Sequence, residues 1–582
     1  MDAKQTSFNE VFLTNRTLKI PYFQRPYVWT KDNWEKFYND IAQIALDTKE
    51  VGTPIPYFIG SIIIKQAGYD GSQVYEVIDG QQRLTTIVLF MKALFLRLDR
   101  NEMFKRMFIQ ESLLDENKPI LVPGHNDIGT YTQLINQEFL TTKPLNDSKM
   151  AKAYSYFAER ILKSDNGEDI DFPVKASELY KAVVNSVRLI CISLEEREDA
   201  QKIFETINCT GIRLTTGEML KNYLYDEKHV EEYENTWKKV FEGANQSYWN
   251  DDIVLGRLES NHIKNFFYRY MLIKMQDDDV KGKLSPSEIK SYRKQDGLFE
   301  KFKGLIEKCK LTKESMVDDV INCAKIYMET FKKDALEEAF PKYLGLDRIV
   351  GLMYASDAWT MTPYILYVLK SQPDNTERKR LFEYMETYLM RRLFCRSTNN
   401  SYSDMFSENL IGQRINTYEE FKAYVTDATM RGALLMPSDD DVRDAIMNQD
   451  QKRNAGILLY MLESRLNNDF ADDKKYSNGF LTFVTEQVMP EKDNDKWHSS
   501  VYDEEDSQRL TKTLGNFILL RDTLKASDKK ADWTKKSAAM SSKVDGLSTS
   551  AIATNGLKVW DEDTIEKRNK WFADKVIAAW PR

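Results

Sequence analysis

The chain has 582 residues, with 82 Lys and Arg against 90 Asp and Glu, so its formal net charge is −8. The most apolar run, Leu84–Leu98, is interrupted by two charged residues and is shorter than the ~20 residues of a membrane span. The start MDAKQTSFNE lacks the apolar core of a secretion signal, and five cysteines without a CxxC pair argue against a disulfide framework or a zinc cluster. We therefore expect a cytoplasmic protein without a membrane partner.

The first hundred residues mix strand and helix patterns. A helix is predicted near Thr6, an extended piece over Leu18–Pro21 and a second helix over Asp32–Leu46. Two apolar runs, Tyr57–Gln66 and Val74–Ile78, are separated by Gly-Tyr-Asp-Gly and predict a β-hairpin.

The rest of the chain is predominantly helical by pattern. Residues 100–450 are mostly helical, and beyond them a helix at Ile457–Leu466 precedes a polar segment, an apolar run at Leu514–Leu520 and a closing helix from Asp563. The sequence thus predicts an α+β protein that is predominantly α. The expected domains are 1–225, with a small α+β core at 1–100, a helical middle at 226–450 and a small mixed module at 451–582.

The junction Val77–Thr86, with the sequence VIDGQQRLTT, is the most informative segment. A strand ends at Ile78 and helical spacing begins at Leu84, so Asp79 is the predicted N-cap and Gln82 completes a capping box. Arg83 then stands in the first helical turn, where a cation opposes the helix dipole by ~0.3–1 kcal/mol. An anion bound at this turn, approaching over Gly80, explains that cation. The alternative is an ordinary capped helix whose arginine pairs with a local carboxylate.

Two further segments carry chemistry. Ile20–Trp29 places Arg25 before Pro26 in an extended backbone, among aromatic rings that offer stacking surface or form a core. Phe204–Glu218 reads as helix, turn, helix, and Thr215 with Glu218 forms the capping box of its second helix.

These three segments, in this order, resemble the N-terminal module of the GmrSD-type restriction proteins, the DGQQR family related to the ParB and sulfiredoxin fold. The matching features are a YQRPYVW-like box in which Phe23 replaces Tyr, the intact DGQQR box and an FExxNxxGxxLT box. The resemblance implies an NTP-binding and hydrolysing module, with GTP, ATP and CTP undistinguished and Mg²⁺ accompanying the nucleotide. It implies that Asp79, Gln81, Gln82 and Arg83 line the nucleotide site with Gly80, that Gln24 and Arg25 lie beside it, and that Glu205 and Asn208 close it.

The C-terminal part resembles the small ββα-metal nuclease module, of HNH type, of the same family. Its Glu-His-Ile-x-Pro strand corresponds here to Glu486, Gln487 and Pro490, and its Gly-Asn-Leu element to a segment with Asn516, while Asp528 stands near the place of a further Asn. Gln487 replaces the histidine that takes a proton from the attacking water. Such general-base catalysis contributes about 10²–10⁴-fold to the reaction rate. We therefore expect a degenerate nuclease. His498, eleven residues further on, is the one histidine of this module and is expected to be a loop residue.

Three interpretations remain open at this level. The first is a nucleotide-dependent defence protein, similar to type IV restriction systems, that targets DNA, including modified phage DNA, and has an inactive nuclease module. The second is an active NTP-gated endonuclease with an altered metal site. The third is a non-catalytic nucleotide-sensing scaffold for a separate partner nuclease or for a homo-oligomer. The basic stretch Arg521–Lys543 is either a solvated surface or a nucleic-acid contact.

Overall fold

The computed structural model describes the chain except for residues 1, 13–15, 22–23, 70–71, 111–117, 196–214, 226–228, 256–257, 333, 342–344, 428, 430–433, 468–477, 493–496, 498–500, 530 and 551–556. The chain divides into two compact units, Met1–Tyr233 and Glu234–Arg582. The domain boundaries expected at 225 and 450 stay predictions.

A six-stranded mixed sheet forms the centre of the first unit. Its spatial order is β1-β8-β3-β4-β2-β7, and a separate short pair joins β5 to β6. The strands are β1 (Asp2–Ser7), β2 (Arg16–Lys19), β3 (Tyr57–Tyr69), β4 (Gln73–Asp79), β5 (Ile109–Gln110), β6 (Lys118–Pro119), β7 (Leu121–Val122) and β8 (Val187–Leu194).

The predicted hairpin is present, and two strands were not predicted. β3 and β4 pair antiparallel, with Ile63 opposite Asp79, and β3 extends to Tyr69. β8 runs parallel to β3 and antiparallel to β1, so it lies inside the sheet although its segment was expected to be helical. β1 precedes the first helix, where the sequence predicted only the helix.

The helices of the first unit pack on this sheet around one central helix. The helices are α1 (Phe8–Phe12), α2 (Lys31–Val51), α3 (Gln81–Arg97), α4 (Asn101–Phe108), α5 (Ile128–Ile135), α6 (Lys149–Asn166), α7 (Ala176–Ser186), α8 (Thr216–Leu224) and α9 (Val230–Asn235), which crosses the unit boundary. α3 is buried on all its faces from Leu84 to Phe95 and packs against α6. A helix that is apolar all round belongs in a core, so the turn that begins α3 is held rigidly at the end of β4.

The second unit is helical up to about residue 466. Its helices there are α10 (Trp237–Phe241), α11 (Gln246–Asn250), α12 (His262–Lys274), α13 (Pro286–Tyr292), α14 (Leu298–Cys309), α15 (Lys313–Thr330), α16 (Leu346–Ala355), α17 (Thr362–Ser371), α18 (Asn375–Phe394), α19 (Tyr402–Asp404), α20 (Leu410–Gly412), α21 (Tyr418–Thr426), α22 (Asp439–Asn448) and α23 (Ala455–Leu466). A π-helical turn, Met405–Asn409, joins α19 to α20, and β9 (Asp252–Leu255) pairs with β10 (Leu258–Asn261).

The end of the second unit contains a strand–strand–helix arrangement. β11 (Val484–Gln487) pairs antiparallel with β12 (Phe517–Leu520). The helices here are α24 (Glu504–Thr511), α25 (Ala526–Lys529), α26 (Trp533–Ser541) and α27 (Glu562–Ala579). Trp533 of α26 and Ile518 of β12 belong to one buried cluster with Val488, which follows β11.

These elements confirm the predominantly helical α+β class. Among the described residues, no helix combines the length and the apolar composition that a membrane crossing requires.

Candidate functional site

The junction between β4 and α3 turns on a glycine. Gly80 has φ +98°, in the left-handed region that favours glycine, and a Cβ at this position would lie 2.7 Å from Cγ2 of Ile62. Gly80 itself is the N-cap of α3, and no described side chain caps the helix. The predicted capping by Asp79 and Gln82 is therefore wrong, because the left-handed turn moves the helix start one residue along the chain.

Arg83 lies against the hairpin rather than projecting freely into solvent. Its guanidinium packs on Gly60, where a Cβ would lie 3.2 Å from Nη1, and Nη1 donates to the backbone oxygen of Ser61. Nη2 lies 3.5 Å from Oδ2 of Asp79, and both side chains are about a quarter exposed. The alternative in which Arg83 pairs with a local carboxylate thus describes the contact correctly. The pair is open to solvent on one side, so an incoming anion can still reach the guanidinium.

Gln82 fastens the aromatic segment to the first turn of α3. Its side-chain oxygen accepts from the backbone N–H groups of Val28, at 2.9 Å, and Trp29, at 3.4 Å, and its Nε2 donates to the carbonyl of Pro26 at 3.2 Å. Gln24 makes a matching contact, because its Nε2 donates to the carbonyl of Ile78 at 2.8 Å. Two buried amides therefore hold residues 24–29 beside the end of β4.

Asp127 is a member of this site that the sequence analysis missed. Its Oδ2 accepts from the backbone N–H of Tyr27 at 2.7 Å, and the hydroxyl of Tyr27 lies 2.7 Å from Oγ1 of Thr86 in α3. Burial raises the pKa of Asp127 to about 6, and the hydrogen bond from Tyr27 opposes that shift. The contact spans 100 residues of sequence, so no local pattern signals it.

Arg25 is thereby fixed at the same corner. Its neighbours in sequence, Gln24 and Pro26, are bonded to Ile78 and Gln82, while its own side chain is partly exposed and has no ion pair among the described residues. The guanidinium of Arg25 is therefore available to a ligand at this corner.

Of the other predicted members of the nucleotide site, the structure describes Gln81 but not Glu205 and Asn208. Gln81 is buried, at 7% exposure, in the first turn of α3. Glu205 and Asn208 lie outside the described residues. The capping box that follows them is confirmed, because Thr215 Oγ1 accepts from the N–H of Glu218 at 3.2 Å and the Glu218 carboxylate accepts from the N–H of Thr215 at 2.7 Å.

The nuclease-like module of the second unit begins with Gln487 at the end of β11. Nε2 of Gln487 donates to the carbonyl of Thr511 at 2.9 Å and lies 3.5 Å from a carboxylate oxygen of Glu491. The amide is thus engaged as a donor across the module. An amide has no useful basicity near neutral pH, so this side chain can orient a water molecule but cannot take its proton.

Glu486 is buried and neutralised by a lysine of α26. Nζ of Lys536 lies 3.0 Å from Oε1 of Glu486 and donates to the carbonyls of Gln487, at 2.7 Å, and Val488, at 2.9 Å. Burial lowers the pKa of Lys536, and the Glu486 carboxylate opposes that shift. The ammonium occupies the space between β11 and α26 on the carboxylate side of the strand.

A divalent metal ion does not fit the described part of this module. Glu486 already has a cation, and its second oxygen lies 3.9 Å from Lys529. Asp528 is half-buried on α25 and accepts from Ser527 at 3.4 Å. Across the described residues there is no group of three His, Cys, Asp or Glu side chains that can hold a metal ion. His498 lies outside the described residues.

Asn516 and the basic stretch have structural contacts. The buried Asn516 donates to the carbonyls of Met489 and Thr511 at 2.8 and 2.7 Å and accepts from the N–H of Met489 at 2.8 Å, so it fixes the turn after β11 that contains Pro490. Within Arg521–Lys543, Arg521 donates to Asn478 and Lys543 pairs with Asp522. Both interpretations of this stretch, a solvated surface and a nucleic-acid contact, stay predictions.

Comparisons with known proteins agree with the two halves of this description. The family model described as the N-terminal domain of the GmrSD restriction endonucleases matches residues 8–225. The model for the C-terminal domain of the same enzymes matches residues 436–575. A search of curated proteins gave no match. Since the two models together match more than half of the 582 residues, the chain belongs to the GmrSD restriction endonuclease family.

Proposed function

We propose that the protein is a cytoplasmic, nucleotide-dependent defence protein that targets DNA, including modified phage DNA. In this proposal the first unit binds and hydrolyses an NTP at the β4–α3 junction, and the nuclease-like module of the second unit is inactive. DNA is the target that membership in a restriction endonuclease family implies. The observation that carries the nucleotide part is the pair of arginines at one corner, Arg25 without an ion-pair partner in the described chain and Arg83 partly exposed.

The two arginines have complementary roles in the proposed site. Arg25 approaches from the segment that Gln82 and Gln24 hold in place, and Arg83 approaches from the first turn of α3. Guanidinium groups bind phosphate oxygens in a fixed, often bidentate geometry. The unblocked N–H groups after Gly80 add the partial positive charge of a helix start. A triphosphate is a ligand whose charge matches this corner.

Mg²⁺ would enter this site with the nucleotide. Mg²⁺ is usually held by one or two carboxylates together with substrate phosphates, and Asp79 is the carboxylate beside Arg83. Mg²⁺ would supply charge neutralisation at the phosphates. The residues' own contributions are positioning: Gln82 and Gln24 fix the arginine-bearing segment, and Gln81 stands in the helical turn beside the phosphates.

Phosphate release tests the nucleotide part of the proposal. The purified chain is incubated with GTP, ATP or CTP and Mg²⁺, and Arg83→Gln and Arg25→Gln are each expected to abolish the release. Arg97→Gln is the matched control, because Arg97 lies on the same helix and pairs with Asp165 at 2.7 Å, at its far end. Release that persists in both arginine variants contradicts the proposal.

The inactive nuclease rests on the two side chains at the end of β11. Gln487 offers no base, and Lys536 places a cation on Glu486. We expect the purified chain to leave supercoiled plasmid intact with Mg²⁺ or Mn²⁺, with and without nucleotide. Nicking that disappears in Gln487→Ala would instead identify an active NTP-gated endonuclease. Tight nucleotide binding without turnover would identify a nucleotide-sensing scaffold for a separate nuclease.

A further inference from the structure

A cavity in the second unit lies beside the nuclease-like module, because Lys452 in its wall pairs with Glu491, which lies 3.5 Å from Nε2 of Gln487. Its volume is about 630 Å³, within the range of small-molecule sites. It lies between the end of α16, the end of α18 and the start of α23, and Thr485 of β11 forms part of its wall. Neighbouring residues of a strand point to opposite faces, so Thr485 shares its face of β11 with Gln487, whereas Glu486 points to the opposite face.

The charge of the cavity is positive. Three of the described lining residues are basic, namely Arg396, Lys452 and Arg453, and one, Asp357, is acidic. Lys452 is paired with Glu491 at 2.6 Å. Arg396 and Arg453 are exposed, and neither has an ion pair among the described residues. Two guanidinium groups are therefore available to a ligand in the cavity.

The backbone at Arg396 is arranged at a conformational cost. Arg396 has φ +50°, directly after α18, and its N–H and that of Ser397 bond back to the carbonyls of Leu393 and Arg392. This left-handed position after a helix is one where glycine is favoured. The Arg396 side chain makes no ion pair in the described chain, so its guanidinium is available to a ligand.

The remaining walls provide an anion-binding helix end and an apolar surface. α23 begins in the cavity, and no described side chain caps it. Gly456, in its first turn, lets the helix approach β11, because a Cβ there would lie 2.8 Å from Oγ1 of Thr485. Phe480 presents a partly exposed aromatic ring, and Leu352 and Leu393 extend the apolar surface beside it. Aromatic rings stack on nucleobases of any sequence.

We propose that this cavity binds a nucleotide, with its phosphate at Arg396, Arg453 and the start of α23 and its base against Phe480. The nucleotide can belong to a DNA strand or be a free nucleoside phosphate. The proposal does not depend on nucleotide hydrolysis in the first unit, because none of its residues lies there.

Arg396→Gly is the sharpest test, because it removes the guanidinium and places the favoured residue at φ +50°. The melting temperature should be unchanged or higher. Binding of a labelled single-stranded oligonucleotide should weaken by about fivefold or more, and the salt slope should fall by about 0.7 for the lost contact. Arg453→Gln should act in the same direction. Arg414→Gly is the matched control, since Arg414 also has a positive φ, +59°, and pairs with Asp278 outside the cavity.

Parallel titrations distinguish the source of the nucleotide. If the oligonucleotide is the ligand, both cavity variants weaken its binding and Arg414→Gly does not. If a free nucleotide is the ligand, the same pattern appears in titrations with GTP, ATP or CTP, and Arg83→Gln, measured alongside, reports the first-unit site separately. If neither Arg396→Gly nor Arg453→Gln weakens binding of the oligonucleotide or of any nucleotide, or if the unaltered chain binds none of them, the proposal is wrong.

Discussion

Replacing Lys536 by methionine is expected to destabilise the nuclease-like module by about 3–5 kcal/mol, the usual cost of removing one partner of a buried ion pair. The side chain of Lys536 is 2% exposed and that of Glu486 is 11% exposed, with 3.0 Å between Nζ and Oε1. Methionine keeps most of the aliphatic volume, so little packing is lost. Among the described residues, the other cation paired with this carboxylate is Lys529, at 3.9 Å, and its side chain is 45% exposed. The cost therefore arises from an uncompensated buried carboxylate.

A double-mutant cycle identifies that cause. Glu486→Gln alone leaves the ammonium its three carbonyl acceptors, those of Gln487, Val488 and Lys529, and should cost about 1–3 kcal/mol. Lys536→Met in the Glu486→Gln background should then cost at least about 1 kcal/mol less than it does in the unaltered chain. Hydrogen exchange at the amides of β11 and β12 measures the opening free energy of this module by itself. A loss below about 1 kcal/mol for Lys536→Met, or strict additivity of the two changes, would refute the role of Lys536 as the counter-ion of Glu486.

Three further predictions concern stability. Gly80→Ala should cost at least about 1–3 kcal/mol more than Gly52→Ala in urea unfolding, because both residues have positive φ but only position 80 meets a neighbour. Glu386→Gln leaves the buried Arg348, which Glu386 binds in a bidentate pair, without a counter-ion, and it should cost about 3–5 kcal/mol. The same change at Glu159, whose ion pair with Lys163 is exposed, should be tolerated. Asp127 has a pKa of about 6 against an ordinary 3.8, so the folded state binds its proton more tightly and stability should fall as pH rises from about 4 to 6. Asp127→Asn should then melt like the unaltered chain near pH 4 and be more stable by about 1–3 kcal/mol at pH 7.5. A stability difference between the two proteins that is the same at every pH in this range would contradict the raised pKa of Asp127.

Local sequence patterns predicted the elements that depend on residues close together in the chain. The β3–β4 hairpin, α2 and the capping box at Thr215 follow from turn residues, helical spacing and the positions of polar side chains within a few residues. The same reasoning misplaced the start of α3 by one residue at Gly80. Propensity identifies Asp79 as a good cap, but the left-handed turn that fits against Ile62 decides the geometry.

The sheet was incompletely predicted for two different reasons. β8 has the alternating pattern of a strand, since Val187, Leu189 and Cys191 are buried at alternate positions. This period of two lies in a stretch that is otherwise rich in helix formers. β1 carries almost none: among its described side chains, those of residues 3–7, that of Thr6 alone is buried. Its pairing with β8 joins residues more than 180 apart in sequence, and such pairing depends on the assembled sheet rather than on local preference.

Motifs in the sequence identified candidate site residues, but they did not predict the contacts that these residues make. Arg25, Gln82 and Gln487 were identified from motifs, yet the contacts that define their roles reach over tens of residues, as from Gln82 to Val28 and from Lys536 to Gln487. Sequence motifs therefore identified Arg25 and Arg83, the arginines of the proposed nucleotide site, but gave no indication of Asp127 or of the lysine that neutralises Glu486.

Position 487 shows how a fold and its chemistry can separate. Gln487 keeps a strand-to-helix hydrogen bond by donating to the carbonyl of Thr511, a contact that any side chain with a suitably placed N–H can make. A neutral amide can be partly buried without the large cost of an unpaired charge, and Asn516 fixes the following turn through a second amide. The arrangement of β11, β12 and α26 therefore does not depend on a basic side chain at position 487. In the proposed inactive module, a neutral side chain at position 487 would remove the catalytic base and leave the architecture intact, which is the condition under which a nuclease fold can persist as a binding module.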